Sequence, residues 1–391
     1  LRARTRHMAT EPRCQLSSDV SPFQAIAVSR LAHELQAAGR SVIHMEFGQP
    51  STGAPKRAVE TAHSVLDAES MGYWESPQLK ARICQHYGDT YGVEVTPRRL
   101  AITCGASPAL VLALSSAFNP GDQVALARPG YVAYRGTLKA LKLVPVEIEC
   151  GEETRFQLTA AQIAALEPAP AGLIIASPAN PTGTILPAEE LAAIIKVCAE
   201  RNIRIISDEI YHGLSYGPHT ASVLEHTNDA YVINSFSKYF SMAGWRLGWI
   251  VSPDSMASRT AAYIGNMFLT APSLSQHAGL VAMDCRDELE GHLDTYRRNR
   301  DLMLAALPAL GLERIAPPDG AFYIYADISR FTDDSLGFCM QLLKDTGVAT
   351  APGVDFDPVN GHKFMRFSFA VSTPELEDAL ERITPWFKAR G

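Results

Sequence analysis

The sequence predicts an α/β protein with two lobes. The large lobe carries a mainly parallel sheet of the seven-stranded type covered by helices, and the smaller lobe is α+β. Three observations lead there. The chain has 391 residues, more than one domain core usually holds. Short β-branched apolar runs alternate with helical patterns over most of its length, which is the signature of a parallel sheet buried on both faces. From about Arg286 the texture changes to a long polar helix followed by strands and helices in a different rhythm.

In chain order, the expected strands of the large sheet follow a first run, Val42–Phe47. They are Leu100–Thr103, Val124–Ala127, Leu143–Ile148, Leu173–Ala176, Ile203–Ser207, Tyr231–Ser235 and Leu247–Val251. The clearest helix begins at Pro187. It has Glu189 and Glu190 in its first turn, Leu191, Ile194, Ile195 and Cys198 along one face, and Arg201 towards its end. Beyond Arg286 come a helix through Tyr296 and Arg300, a strand at Phe322–Ala326 and a helix near Leu336–Lys344. A strand at Phe364–Phe369 and a helix from Pro374 complete the chain. A helix at Pro22–Ala38 is expected to join this second lobe. The expected division is a tail over 1–18, a large domain over 48–287, and a small domain from 19–47 together with 288–391.

Composition excludes several classes. Hydrophobic residues make up 47% and charged ones 20%, so the chain is not disordered as a whole. A net charge of −7 argues against nucleic acid or an anionic membrane as the main partner. No apolar stretch is long enough to span a membrane. The seven cysteines, Cys14, Cys84, Cys104, Cys150, Cys198, Cys285 and Cys339, form no CxxC pair and have no His-rich partner spacing. Neither a metal site nor a disulfide framework is expected, and free thiols indicate a reducing, cytoplasmic setting. Arg2, Arg4 and Arg6 have no apolar run behind them, so the N-terminus reads as a tail and not a secretory signal.

Four local motifs carry the chemistry. Asp208 stands at the C-terminal end of a strand, where ligands of open α/β sheets bind, with Tyr211 three residues on. The next strand delivers Ser235-Phe236-Ser237-Lys238, and Gly244-Trp245-Arg246 follows. Ser177-Pro178-Ala179-Asn180-Pro181-Thr182-Gly183 comes after the strand ending at Ala176. Gly105-Ala106-Ser107 comes after the strand ending at Thr103 and opens a helix. A pyridoxal-phosphate site needs an amine to capture the aldehyde and a carboxylate facing the ring nitrogen. It also needs donors to the phenolic oxygen, and for the phosphate backbone N–H groups, hydroxyls and a guanidinium.

DEIY at Asp208–Tyr211, SFSK at Ser235–Lys238, GWR at Gly244–Arg246 and PANPTG at Pro178–Gly183 stand in the order of a known family. From about Pro22 to the C-terminus the chain resembles the fold-type I, class I/II aminotransferases, whose architecture is that of aspartate aminotransferase. The resemblance implies pyridoxal 5′-phosphate as cofactor, held by Lys238, which would then shuttle a proton. It implies Asp208 at the ring nitrogen, Asn180 and Tyr211 at the phenolic oxygen, and Tyr131 stacked on the ring. The phosphate would be held by Ser235, Arg246 and the backbone at Gly105, Ala106 and Ser107, with Ser237 contributing. Arg366 matches the arginine that clamps the substrate α-carboxylate, with Gly48 and Asn180 beside it. Tyr73 resembles the tyrosine that reaches the phosphate of a neighbouring subunit, which implies a homodimer with shared sites.

The implied reaction is ping-pong transfer of an amino group between an α-amino acid and a 2-keto acid. A C–S β-lyase or other α-carbon chemistry on the same scaffold is the alternative, since the early cofactor chemistry is shared. The chain departs from the family at Tyr73–Leu79, a shorter loop without glycine. Aspartate-specific members place a lysine where Ser107 stands and a threonine where Ala25 stands. Their absence favours a neutral, aliphatic or aromatic amino acid.

Overall fold

A computed structural model describes residues 20–217 and 219–391. The expected tail over 1–18, with its arginines and Cys14, lies outside the described residues. Twelve strands follow in order: β1 (Ile43–His44), β2 (Leu100–Thr103), β3 (Gln123–Arg128), β4 (Val144–Glu149), β5 (Gly172–Ala176) and β6 (Arg204–Asp208). They continue with β7 (Ala230–Ser235), β8 (Gly248–Val251), β9 (Tyr323–Asp327), β10 (Val348–Ala349), β11 (Ala351–Pro352) and β12 (Phe364–Ser368).

Seven of them form one sheet in the order β2-β8-β7-β6-β5-β3-β4. It is parallel except for β8, which runs antiparallel to both β2 and β7. Successive side chains on a strand point to opposite faces, and here both faces are apolar. Leu173, Ile175, Ile205, Val232 and Trp249 join one buried cluster, whereas Ile174, Ile206, Tyr231, Ile233 and Ile250 join another. Because β5, β6 and β7 run parallel, their C-terminal ends bring Ser177, Asp208 and the Ser235–Lys238 turn to one edge of the sheet.

The remaining strands form an antiparallel β11-β12-β9 sheet and a parallel β1-β10 pair. A separate core gathers Val28, Ile43 and Met45 with residues from Leu293 to Phe387, and it takes in Tyr211 and Leu214 from the end of β6. The run expected at Val42–Phe47 pairs only over Ile43–His44, because its partner β10 is two residues long. The first helix spans Gln24–Ala37 and not Pro22–Ala38. The carboxylate of Asp355 takes the N–H groups of Gln24 and Ala25, which fixes the start of the helix there. No described helix is long and apolar enough to cross a membrane, and the six described cysteines are all free.

Trp249 sits at the centre of the main core, fully buried, its Nε1 donating to Tyr87 Oη at 3.0 Å. Trp249→Ala should cost about 3–5 kcal/mol in urea unfolding. A loss below about 1 kcal/mol would show that this core is not what holds the sheet.

Candidate active site

The strand ends open into a cavity of about 340 Å³, lined by Gly48, Ala106, Ser107, Tyr131, Tyr134, Asn180, Asp208, Tyr211, Ser237, Lys238, Arg246, Tyr323 and Arg366 among others. Pockets for small molecules typically run from roughly 300 to 1,000 Å³. The cavity thus collects eleven of the fourteen expected site residues; Gly105 and Ser235 stand just behind its wall, and Tyr73 stands apart.

Lys238 leaves the turn after β7 and donates through Nζ to the carbonyl of Gly48. Burial lowers its pKa to about 8, helped by the positive charges of Arg366 and Arg246 and opposed by Asp208. Asp208 is buried, with Oδ2 accepting from Tyr134 Oη at 2.6 Å and Oδ1 from Ile210 N at 3.2 Å. Burial raises its pKa, and Tyr134, the Ile210 N–H and Lys238 work in the opposite direction. Tyr211 Oη shares a 2.6 Å hydrogen bond with Tyr323 Oη. Gly48 permits this: a Cβ there would fall 1.8 Å from Tyr323 Oη.

Arg366 reaches the cavity from β12. Its Nη1 donates to Asn180 Oδ1 at 2.7 Å and its Nη2 to the carbonyl of Glu46 at 2.5 Å. The guanidinium lies 4.4 Å from the Tyr323 ring centroid and 4.8 Å from that of Phe356. Its Nε is buried with no partner among the described residues.

The opposite end of the cavity is cationic. Gly105 precedes the helix Ala106–Ala117 with φ +100°, and a Cβ on it would fall 2.7 Å from Arg246 Nη2. Arg246 donates to the carbonyls of Ala243, at 2.8 Å, and Cys104, at 3.3 Å. A helix start without a side-chain cap, beside a guanidinium, suits an anion such as phosphate. Ser237 lines the cavity, while Ser235 is buried with its Oγ accepting from Ser237 N at 3.1 Å. Tyr131 meets the Tyr134 ring edge-on at 5.4 Å.

Tyr73 is 85% exposed and lies outside the cavity, and Trp74 stacks on His277 at 4.6 Å. Sequence reasoning missed Tyr134 and Tyr323. Tyr134 had a signal, because it stands one helical turn from Tyr131. Tyr323 sits in an apolar strand with nothing to single it out.

An α/β sheet covered on both faces, with a cavity at its strand ends, is the arrangement in which open α/β proteins bind their ligands. The family model for aminotransferase class I and II matches residues 40–383, and the chain belongs to that family. It is an aminotransferase, moving an amino group between an amino acid and a keto acid. It is 44% identical to a valine–pyruvate aminotransferase of Mycobacterium tuberculosis, over 97% of this chain and 99% of the relative. It is 31% identical to an aspartate/prephenate aminotransferase of Thermus thermophilus, over 93% and 95%. The crystal structure of an aminotransferase from M. tuberculosis superposes with a TM-score of 0.94 at 44% identity, covering 97% of this chain and all of that one. Aspartate aminotransferase from T. thermophilus with maleate gives 0.90 at 30% identity, over 96% and all of that chain.

The lowered Lys238 pKa has a direct consequence. In protein free of cofactor, modification of Lys238 by an amine reagent, followed by peptide mapping, should rise with a midpoint near pH 8. The unfolded chain keeps this proton to about 10.5, so the group's contribution to stability increases between those two values as pH rises. A midpoint near 10.5 would contradict the burial of this amine.

Proposed function

We propose that this aminotransferase works with pyridoxal 5′-phosphate held through Lys238, in a ping-pong cycle with an α-amino acid as donor and a 2-keto acid as acceptor. The observation that carries the reading is a buried amine with a pKa near 8 sharing one cavity with a buried carboxylate. The donor set fits the cofactor. Lys238 offers an amine, Asp208 a carboxylate for the ring nitrogen, and Gly105 with Arg246 a cradle that a Cβ would fill. When bound, the cofactor supplies an electron-accepting ring that stabilises negative charge at the substrate α-carbon.

The chain's own residues do the rest. Asp208, oriented by Tyr134, holds a proton on the ring nitrogen. Tyr211 and Asn180 donate to the phenolic oxygen, and Tyr131 packs against the ring face. Ala106, Ser107, Ser235, Ser237 and Arg246 hold the phosphate. Arg366 takes the α-carboxylate beside Gly48 and Asn180, and its unpartnered Nε leaves a donor for it. Lys238 Nζ would both hold the cofactor through its aldehyde and carry the proton at the substrate α-carbon, and a pKa near 8 suits a proton shuttle.

Three cations line the cavity, Lys238, Arg246 and Arg366, and this reading assigns each of them. None is left for a second carboxylate, while Glu46 and Asp355 add negative charge to the lining. A monocarboxylic donor follows, in line with the valine and pyruvate named for the M. tuberculosis relative. We further propose a large domain over 48–287, a small domain from 19–47 and 288–391, and a cytoplasmic homodimer with shared sites. Tyr73, outside the cavity and exposed, stands where it can reach a neighbouring subunit.

A panel of amino acids and keto acids scored for amino transfer tests the function. Initial rates should give parallel double-reciprocal lines, whereas pyruvate and ammonia released without an acceptor would indicate a lyase. Borohydride should fix the cofactor to Lys238, and Lys238→Ala should abolish turnover. A chain that takes up no pyridoxal phosphate would sink the reading. Arg366→Ala should raise KM by about 100-fold with cofactor absorbance intact. Tyr134→Phe should lower kcat by about tenfold, because it removes the donor that opposes the rise of the Asp208 pKa on burial.

A further inference from the structure

The first helix lacks a cap of its own. Phe23 stands at the N-cap position, and no side chain nearby in sequence accepts from the first turn. The acceptor comes from the other end of the chain. Asp355 takes Gln24 N on Oδ1 at 2.7 Å and Ala25 N on Oδ2 at 2.8 Å. The carboxylate is 5% exposed. Phe23 and Ala25, on either side of Gln24, both line the active-site cavity, as do Asp355 and its neighbour Phe356. Ala25 and Phe356 share a small apolar cluster, and the Phe356 ring lies 4.8 Å from the Arg366 guanidinium. One carboxylate therefore ties the start of the first helix to the segment that packs on Arg366.

We propose that Asp355 is a positioning residue for substrate selection. By fixing the start of the first helix, it sets the Phe23–Ala25 wall of the chamber that receives the substrate side chain. This rests on the reading above that Arg366 takes the α-carboxylate, which turns the side chain towards the remaining walls. A ring and a methyl group make this wall apolar, so it rewards an aliphatic side chain long enough to touch it. Alanine, with a single methyl, gains little from the same wall. A carboxylate suits the task because both oxygens accept at once, and because it complements the positive end of the helix.

The test uses the full chain loaded with pyridoxal phosphate, with L-valine and L-alanine as donors and kcat and KM measured separately. In Asp355→Ala, kcat/KM for valine should fall on the order of tenfold while that for alanine changes by no more than about threefold. Asp355→Asn should recover much of the valine loss, since its amide oxygen still accepts one N–H. Equal losses for the two donors, or no loss for either, overturn the proposal, because a merely structural role would not distinguish them. If Asp355→Ala does not fold, Ala25→Leu narrows the chamber from the wall itself. A larger penalty for valine than for alanine then supports the proposal, and equal penalties overturn it. Failure of the broader reading looks different: the native chain would take up no cofactor or would transaminate neither donor.

Discussion

Three cations, Lys238, Arg246 and Arg366, share one cavity, and each is fixed mainly by neutral acceptors. Lys238 donates to the carbonyl of Gly48, Arg366 to the Asn180 amide oxygen and the carbonyl of Glu46, and Arg246 to the carbonyls of Ala243 and Cys104. Among the described residues none of the three has a carboxylate within ion-pairing distance. A carbonyl orients a cation without cancelling its charge. Where such a charge is buried it is costly until an anion arrives, and for Lys238 the cost appears in its depressed pKa. The same arrangement keeps the charges available to a phosphate at one end of the cavity and a carboxylate at the other.

These acceptors also explain how two lobes make one site. Glu46 and Gly48 lie just after β1, which pairs with β10, and Arg366 lies on β12. Lys238 and Asn180 follow strands of the large sheet. The bonds from Lys238 to Gly48, from Arg366 to Asn180 and from Tyr211 to Tyr323 therefore all run from the large sheet's strand ends to the smaller lobe. The first reaches the segment after β1, and the other two reach the β11-β12-β9 sheet. Displacing the β9–β12 sheet by an ångström would loosen the last two together. The missing Cβ at Gly48 belongs to the same fit, since it gives Tyr323 room to reach Tyr211.

The seven strands of the large sheet were legible because strands covered on both faces leave near-continuous apolar runs. Sheet order was not legible, since it depends on crossovers that the local pattern does not encode. Within the site, residues at strand ends or in turns were found by position and residue type, as with Asp208, Asn180 and Lys238. Residues that act through remote partners left little trace. Tyr323 looks like any core tyrosine until its hydroxyl is seen against Tyr211. The sequence places the start of the first helix at Pro22, yet an aspartate 331 positions from Gln24 sets the observed one. Such a bond spans the whole chain and has no period to read.

Asp208, the last residue of β6, and Glu209, just after it, show how sequence neighbours can divide structural and chemical work. Both are buried, but only Asp208 lines the cavity. Glu209 faces away from the cavity and accepts from Ser207, Ser222 and Val223 N, at 2.9–3.1 Å. Burial still pushes its pKa to about 7. The nearby His212, pushed down to about 3, stays neutral and offers it no compensating charge. Asp208 has fewer neutral donors, the Tyr134 hydroxyl and one backbone N–H, but it has Lys238 as well. Glu209 thus anchors the end of β6 through neutral donors alone. Asp208, on the cavity side, has its burial opposed first by Tyr134 and the Ile210 N–H and then by the charge of Lys238, so part of that opposition comes from a group within the cavity.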